Sequence, residues 1–178
     1  MEQKTENKPS YGNDRNAHRP QHGHGGGRPR ASVAPKRELD EKTLDLRRVT
    51  RVVKGGKRFS FRCTLIVGNK RGKVGVGIAK GADVAQAIEK ARHDAMKHLL
   101  IIPLKGTTIA HEVEAKFSAA RILIKPSKKG SGLKAGGAAR SVLLMVGISD
   151  ASAKCLGRTK NKLTNALATL EALKKLTA

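Results

Sequence analysis

The chain has 178 residues, and its 37 Lys and Arg against 14 Asp and Glu give a formal net charge of +23. A protein with that excess repels itself unless a polyanion neutralises it, which leaves nucleic acid or an anionic membrane surface as the expected partner. No apolar run approaches the roughly 20 residues that a bilayer-spanning helix needs, and the N-terminus carries no apolar signal core. Neither a membrane span nor a secretory leader is expected, and the cytoplasm follows.

The position of the charge says more than its sum. Residues 1–44 carry a net +3 and residues 45–178 a net +20. The charge is therefore built into the folded part, the footprint of an extended basic surface that holds nucleic acid. Aromatic residues are scarce: Tyr11, Phe59, Phe61 and Phe117, with no Trp. Binders of single strands stack bases on aromatic platforms, so phosphate contact and recognition of folded RNA shape fit better here. The two cysteines, Cys63 and Cys155, both lie in strand-like runs and read as reduced thiols, not as a disulfide.

Residues 1–43 read as a disordered polar tail, rich in Gly, Pro, Asn and His and without apolar periodicity. The stretch from His22 to Arg28 could hold a metal weakly, but flanking structure to fix a geometry is missing, so it reads as flexible polar tail and no metal or cofactor is expected. Order is expected from Leu44. Arg47 to Val53 reads as a strand, and Lys54-Gly55-Gly56-Lys57 as a basic turn. The next strand alternates cleanly: Phe59, Phe61, Cys63, Leu65 and Val67 face one way, and Ser60, Arg62, Thr64 and Ile66 the other. Gly68 to Gly72 is a second basic turn, with Lys70 and Arg71. Lys73 to Ala79 is a third strand.

Asp83 is placed to cap a helix that runs to about Leu99, with Val84, Ile88, Ala91, Ala95 and Leu99 on its inner face. Residues 44–102 thus form a β-β-β-α unit, a three-stranded sheet with a helix on one face. Residues 103–178 form a second unit. Val113 to Phe117 and Arg121 to Lys125 are strands, and a loop of Lys and Gly spans Ser127 to Gly137. A helix covers Ala138 to Val146, a strand Ala151 to Leu156, and a last helix carries Leu163, Leu167, Leu170 and Leu173 at helical spacing. The second unit is β-β-α-β-α, and the fold class is α+β in two domains.

Several motifs dissolve on inspection. Gly75-Val76-Gly77 suggests a dinucleotide fingerprint, but its third glycine position is Lys80 and the unit opens with three strands. Gly68-Asn69-Lys70-Arg71-Gly72-Lys73-Val74 is one residue short of a phosphate-binding P-loop, and it joins two strands. His93 and His98 are five apart, the wrong interval for a metal pair on one helix. Glu112 and Glu114 are spaced as surface residues, so paired-carboxylate chemistry is not expected. No residue stands in a catalytic context, and neither an enzyme nor a small-molecule substrate is expected.

What remains is cationic. The loop from Lys128 and Lys129 through Lys134 to Gly136 and Gly137 runs straight into a helix start. Glycines let backbone N–H groups approach an anion, and the helix N-terminus adds partial positive charge. Arg47, Arg51, Lys54, Gly55, Gly56, Lys57 and Arg58 around the first turn, Lys70, Arg71 and Lys73 around the second, and Lys80 complete the candidate RNA contacts.

Four blocks resemble the bacterial small-subunit ribosomal protein S-five family. They are Arg48 to Phe61; Gly72 to Gly81 running into Val84, Ala87, Ile88, Lys90 and Ala91; Pro126-Ser127 through Gly130-Ser131-Gly132-Leu133 to Ala135-Gly136-Gly137-Ala138-Ala139-Arg140; and Ala153-Lys154, Gly157-Arg158, Thr159 and Asn161. The likeness runs in order from about residue 45 to 175. It implies an N-terminal domain like a double-stranded-RNA-binding domain without its first helix, then a C-terminal domain of the split type named after the family. It implies binding to small-subunit rRNA near the body–head junction, contact with ribosomal proteins S-four and S-eight, and a part in decoding accuracy where mRNA enters the subunit. On the same basis the Lys54–Lys57 turn lies near the spectinomycin site, and Arg121 and Arg140 lie at the interface with S-four. The first 40 residues match no family pattern, and many members continue beyond the point where this chain ends. Two other readings compete: a free-standing RNA-binding module or chaperone, and an enzyme built on the second domain. The enzyme would need acidic metal ligands after its nucleotide loop, where Arg140 stands instead.

Overall fold

A computed structural model describes residues 39–176. The first sheet is formed by β1 (Asp40–Val53), β2 (Gly56–Gly68) and β3 (Lys73–Gly81), with the short β4 (Leu100–Ile101) on its far edge. All its neighbours are antiparallel. Helix α1 (Val84–Lys97) lies on one face. The second sheet has the order β5 (Val113–Phe117), β6 (Ala120–Pro126), β8 (Ala151–Cys155), β7 (Leu133–Lys134), with β7 and β8 parallel. Helices α2 (Gly137–Val146) and α3 (Lys162–Lys174) complete it. The α+β class stands, and β4 and β7 are strands that the sequence reading did not contain.

Strand β1 begins at Asp40, four residues before the expected Leu44, because it pairs back along β2 from Asp40↔Gly68 to Thr43↔Leu65. The segment is polar, so periodicity did not reveal it. Cross-strand pairing and ion pairs hold it instead: Glu41 with Arg92 of α1 at 2.5 Å, and Asp40 with Lys70 at 2.6 Å. A bulge between Thr43 and Asp45 shifts the register there. The rest of the expected tail, with the His22–Arg28 stretch, lies outside the described residues.

The glycines of β3 serve packing. A Cβ on Gly75, Gly77 or Gly81 would fall closer than 3.0 Å to backbone atoms of α1. The strand therefore receives the helix at backbone distance, and α1 presents its smallest row, Ala87, Ala91 and Ala95, all fully buried. That corrects the expected inner face: Val84, Ile88 and Leu99 are half-buried at its margins. Asp83 occupies the N-cap position without a side-chain bond; Gln86 reaches back instead and accepts from the Ala82 N–H at 3.0 Å.

The sheet is covered on both faces, where the sequence reading covered one. Cys63, Leu65 and Val67 pack under α1. Ile66, Val74 and Val76, on the opposite face, join the larger core with Val142, Leu143, Val146, Leu170 and Leu173 of α2 and α3. Thr64 and Ile66, on the other side of the alternation, are accordingly buried as well. Both cysteines are free thiols; Cys63 is buried and Cys155 half-buried.

Candidate nucleic-acid interface

The β1–β2 hairpin runs past the core. Every residue from Thr50 to Phe59 is exposed, Val52 and Val53 included. The turn itself is Lys54-Gly55; Gly56 and Lys57 already belong to β2, and Gly56 takes a positive φ of 138° that a side chain would resist. An isolated two-stranded ribbon is marginal in water, so local contacts matter. Arg48 lies 3.6 Å over the Phe59 ring, a cation–π contact that stiffens the ribbon and covers an exposed aromatic face. Phe59, on the same side of the alternation as the buried Cys63, is thus a surface residue, 45% exposed.

Register decides what this hairpin presents. Arg47 pairs with Arg62, Arg62 with Lys80, and Arg51 with Arg58. Residues opposite one another share a face, so five cations line one side of the sheet. Like charges directly opposite destabilise a sheet. Arg47 is ion-paired with Asp45 at 2.5 Å, but among the described residues no carboxylate pairs with Arg51, Arg58, Arg62 or Lys80. Arg62 and Arg48 were absent from the candidates read off the sequence. The alternation of Ser60, Arg62 and Thr64 put Arg62 on a polar face, but only the pairing shows it to be the centre of a row of three cations.

The second basic element is more ordered than a loop of Lys and Gly suggests. Ser131 N–H donates to Lys128 O at 3.0 Å, closing a turn. Gly130 and Gly132 have φ of 86° and 72°. Leu133 and Lys134 then pair with Ala151 and Ser152 as strand β7. Lys128, Lys129 and Lys134 are exposed, as are Gly136 and Gly137. Gly136 is the N-cap of α2, with no side-chain cap and no acid in the first turn, which leaves the positive end of that helix open. A Cβ at Gly137 would meet no atom, so packing in the fold does not require a glycine there.

The remaining expected residues are scattered. Lys70, Arg71 and Lys73 are exposed around the β2–β3 turn, and Lys70 is ion-paired with Asp40. Arg121 is hydrogen-bonded to Glu114, whose carboxyl it holds below the usual carboxylate range while its own guanidinium is held more firmly charged. Arg140 is exposed at the start of α2. Glu112 and Glu114 are engaged with Lys125 and Arg121.

A groove of about 460 Å³ opens between β3, the end of α1 and α3, with Leu163, Leu167 and Leu170 along it. Asp94 and His98 sit on its rim, but Asp94 accepts from the Ile78 N–H at 2.9 Å and so closes the open edge of β3. Among the described residues no group of three His, Cys, Asp or Glu is placed to hold a metal ion. No helix among them is long and apolar enough to cross a membrane.

Fold and surface together define a cationic α+β protein of two sheets, with exposed lysines and arginines on a hairpin and on a loop before a helix start. Two family models match the chain: ribosomal protein S5, N-terminal domain, over residues 39–103, and ribosomal protein S5, C-terminal domain, over residues 115–178. The small ribosomal subunit protein uS5c of Cyanidium caldarium is 49% identical over 137 residues, which cover 76% of this chain and 81% of that one. The chain belongs to the ribosomal protein S5 family. It is a structural component of the small ribosomal subunit and not an enzyme.

Proposed function

We propose that the chain binds small-subunit rRNA through two basic elements on one frame, the β1–β2 hairpin and the loop leading into α2. One observation carries the reading: the cross-strand rows Arg47–Arg62–Lys80 and Arg51–Arg58 set like charges opposite one another, and of these five cations only Arg47 has a carboxylate partner among the described residues, Asp45. Such rows cost stability in the free protein, and phosphate is the ligand that offsets the cost. The arginines suit the phosphate backbone because their planar forks bind oxygen pairs; the lysines act as point charges. Neither reads sequence, so the protein recognises the shape and backbone of folded RNA.

The family likeness supports a finer assignment. The two halves, divided near Pro103, sit near the body–head junction, with S-four and S-eight as neighbours and mRNA entering close by. They contribute to assembly and translational accuracy in the cytoplasmic ribosome. Lys54 and Lys57 lie close to the spectinomycin site, and Arg121 and Arg140 face S-four, Arg121 while holding Glu114.

The test is a salt titration of binding to small-subunit rRNA. Replacing Arg51, Arg58 and Arg62 by Gln should reduce the slope of log K against log salt by about 2 to 3, at roughly 0.7–0.9 per neutralised phosphate. An unchanged slope would remove the sheet face from the interface. Co-sedimentation with small subunits in high salt separates a ribosomal component from a free-standing RNA chaperone, which would wash off.

A further inference from the structure

Among the described residues Asp150 is the one charged side chain that is buried, at 5% exposure. A buried carboxylate is costly unless it is hydrogen-bonded, and this one is. Its Oδ1 accepts from the backbone N–H groups of Gly130 and Gly132, each at 3.0 Å. Ser149 Oγ donates to Oδ2 at 3.4 Å, and the Thr107 hydroxyl also bonds to the carboxylate. Asp150 is itself anchored: its N–H donates to Thr107 O at 3.0 Å, and β8 begins at the next residue.

These bonds lie beneath the basic loop. The two pinned amides belong to the glycines with positive φ, and a Cβ at either would meet open space. Glycine is there for the backbone conformation that aims both N–H groups at one oxygen. Lys128 and Lys129 precede the first pinned amide, and Lys134 follows the second by two residues, in β7. The loop is therefore anchored at its centre by a carboxylate and at its end by a strand pairing.

We propose that Asp150 is a positioning residue for polyanion binding: its carboxylate fixes the arch from Lys128 to Lys134 so that the three lysines meet phosphate already ordered. This inference rests on the reading of that loop as an rRNA contact. Its sign is informative. A carboxylate near a phosphate site repels the ligand, so removing it should strengthen binding if charge alone mattered. A positioning role predicts the reverse, because a loosened loop must be ordered again when RNA binds.

Asp150→Ala in the full chain should bind a small-subunit rRNA fragment at least about fivefold more weakly, since several backbone torsions must then be fixed on binding. The slope of log K against log salt should not change, because every lysine remains. Asp150→Asn should recover most of the affinity, since its amide oxygen still accepts from both glycines. Amide hydrogen exchange at Gly130 and Gly132 should accelerate in Asp150→Ala while α3 keeps its protection. Binding by Asp150→Ala as tight as wild type, or tighter, overturns the proposal.

A triple Lys128, Lys129, Lys134→Ala variant separates the two levels. If it binds like wild type, the loop is not an RNA contact and the inference falls with that reading. If it binds weakly and Asp150→Ala does not, only the positioning role falls. Should Asp150→Ala fail to fold, Gly132→Val decides. Its side chain enters open space but resists the φ of 72°, so the same loss is expected, and wild-type affinity would overturn the proposal.

Discussion

Gly77→Ala is the sharpest test of how this fold is assembled. A single methyl at that position would lie closer than 3.0 Å to Ala91 O, Ala95 N and Ala95 Cα. All three are backbone atoms of α1, so no side chain can swing away, and the helix must lift from the sheet. Lifting it also loosens the contacts of Ala87, Ala91 and Ala95 with Cys63, Leu65 and Val67. Inserting a group into a packed core costs typically 1–3 kcal/mol, and an immovable helix backbone puts this case at the upper end, about 3 kcal/mol. With a urea m-value of about 2 kcal/mol/M, the denaturation midpoint should fall by about 1.5 M. The melting temperature should fall by roughly 6–12 °C for a chain of this size. Circular dichroism at 222 nm follows either transition. Gly55→Ala is the control: its φ is not positive and its Cβ would meet no atom, so its midpoint should move little. Equal midpoints for the two variants would refute the claim that the Gly-x-Gly of β3 exists to receive α1.

Two predictions concern the RNA contacts. Replacing Lys128, Lys129 and Lys134 by Ala should lower affinity for different cognate rRNA fragments by a similar factor and flatten the salt slope by about 2 to 3, since point charges do not read sequence; a fragment-selective loss, measured by filter binding, would contradict this. Replacing Lys54 and Lys57 by Glu should weaken incorporation into small subunits or change the spectinomycin response while leaving the circular dichroism spectrum unchanged, because both side chains stand at an exposed hairpin tip; a lost folded signal would make them structural.

Much of the fold was legible because its signals are local. Alternation marked β2, and leucines at helical spacing marked α3. The block around Thr159 and Asn161 also has a local meaning: Asn161 Oδ1 accepts from Leu163 N–H at 3.1 Å, and Asn165 Nδ2 donates to Thr159 O, which together start α3. The failures have a common cause. Asp40–Thr43, Ile66, Phe59 and Arg62 all depend on what lies across the sheet, and a periodic pattern does not say which faces are covered. Asp150 carries no local signal either: nothing in its neighbours announces that it holds amides 18 and 20 residues earlier. The basic loop and hairpin were readable as charge, but their rigidity was not.

The β2–β3 turn shows how the two halves are built into one frame. Read alone, Gly68 to Gly72 is a solvated basic hairpin turn. In the fold its backbone closes the C-terminal end of α2: Lys70 N–H donates to Met145 O at 3.0 Å, and Gly72 N–H to Val146 O at 2.8 Å. Those carbonyls belong to the last turn of a helix and have no partner within it. Gly147 ends the helix at φ 104°, and a Cβ there would fall closer than 3.0 Å to the Lys70 carbonyl. The first sheet thus supplies the cap of a helix from the second half, and α2 and α3 in turn bury Ile66, Val74 and Val76 of the first. Neither half completes its core or its hydrogen bonds alone. Gly147→Ala should therefore cost more than the strain of one turn: amide protection in α1 and α3 should fall together and by the same factor, because both report one cooperative unfolding. Loss confined to α2 and α3, with α1 still protected, would show that the halves unfold separately and that the frame joining hairpin and loop is not rigid.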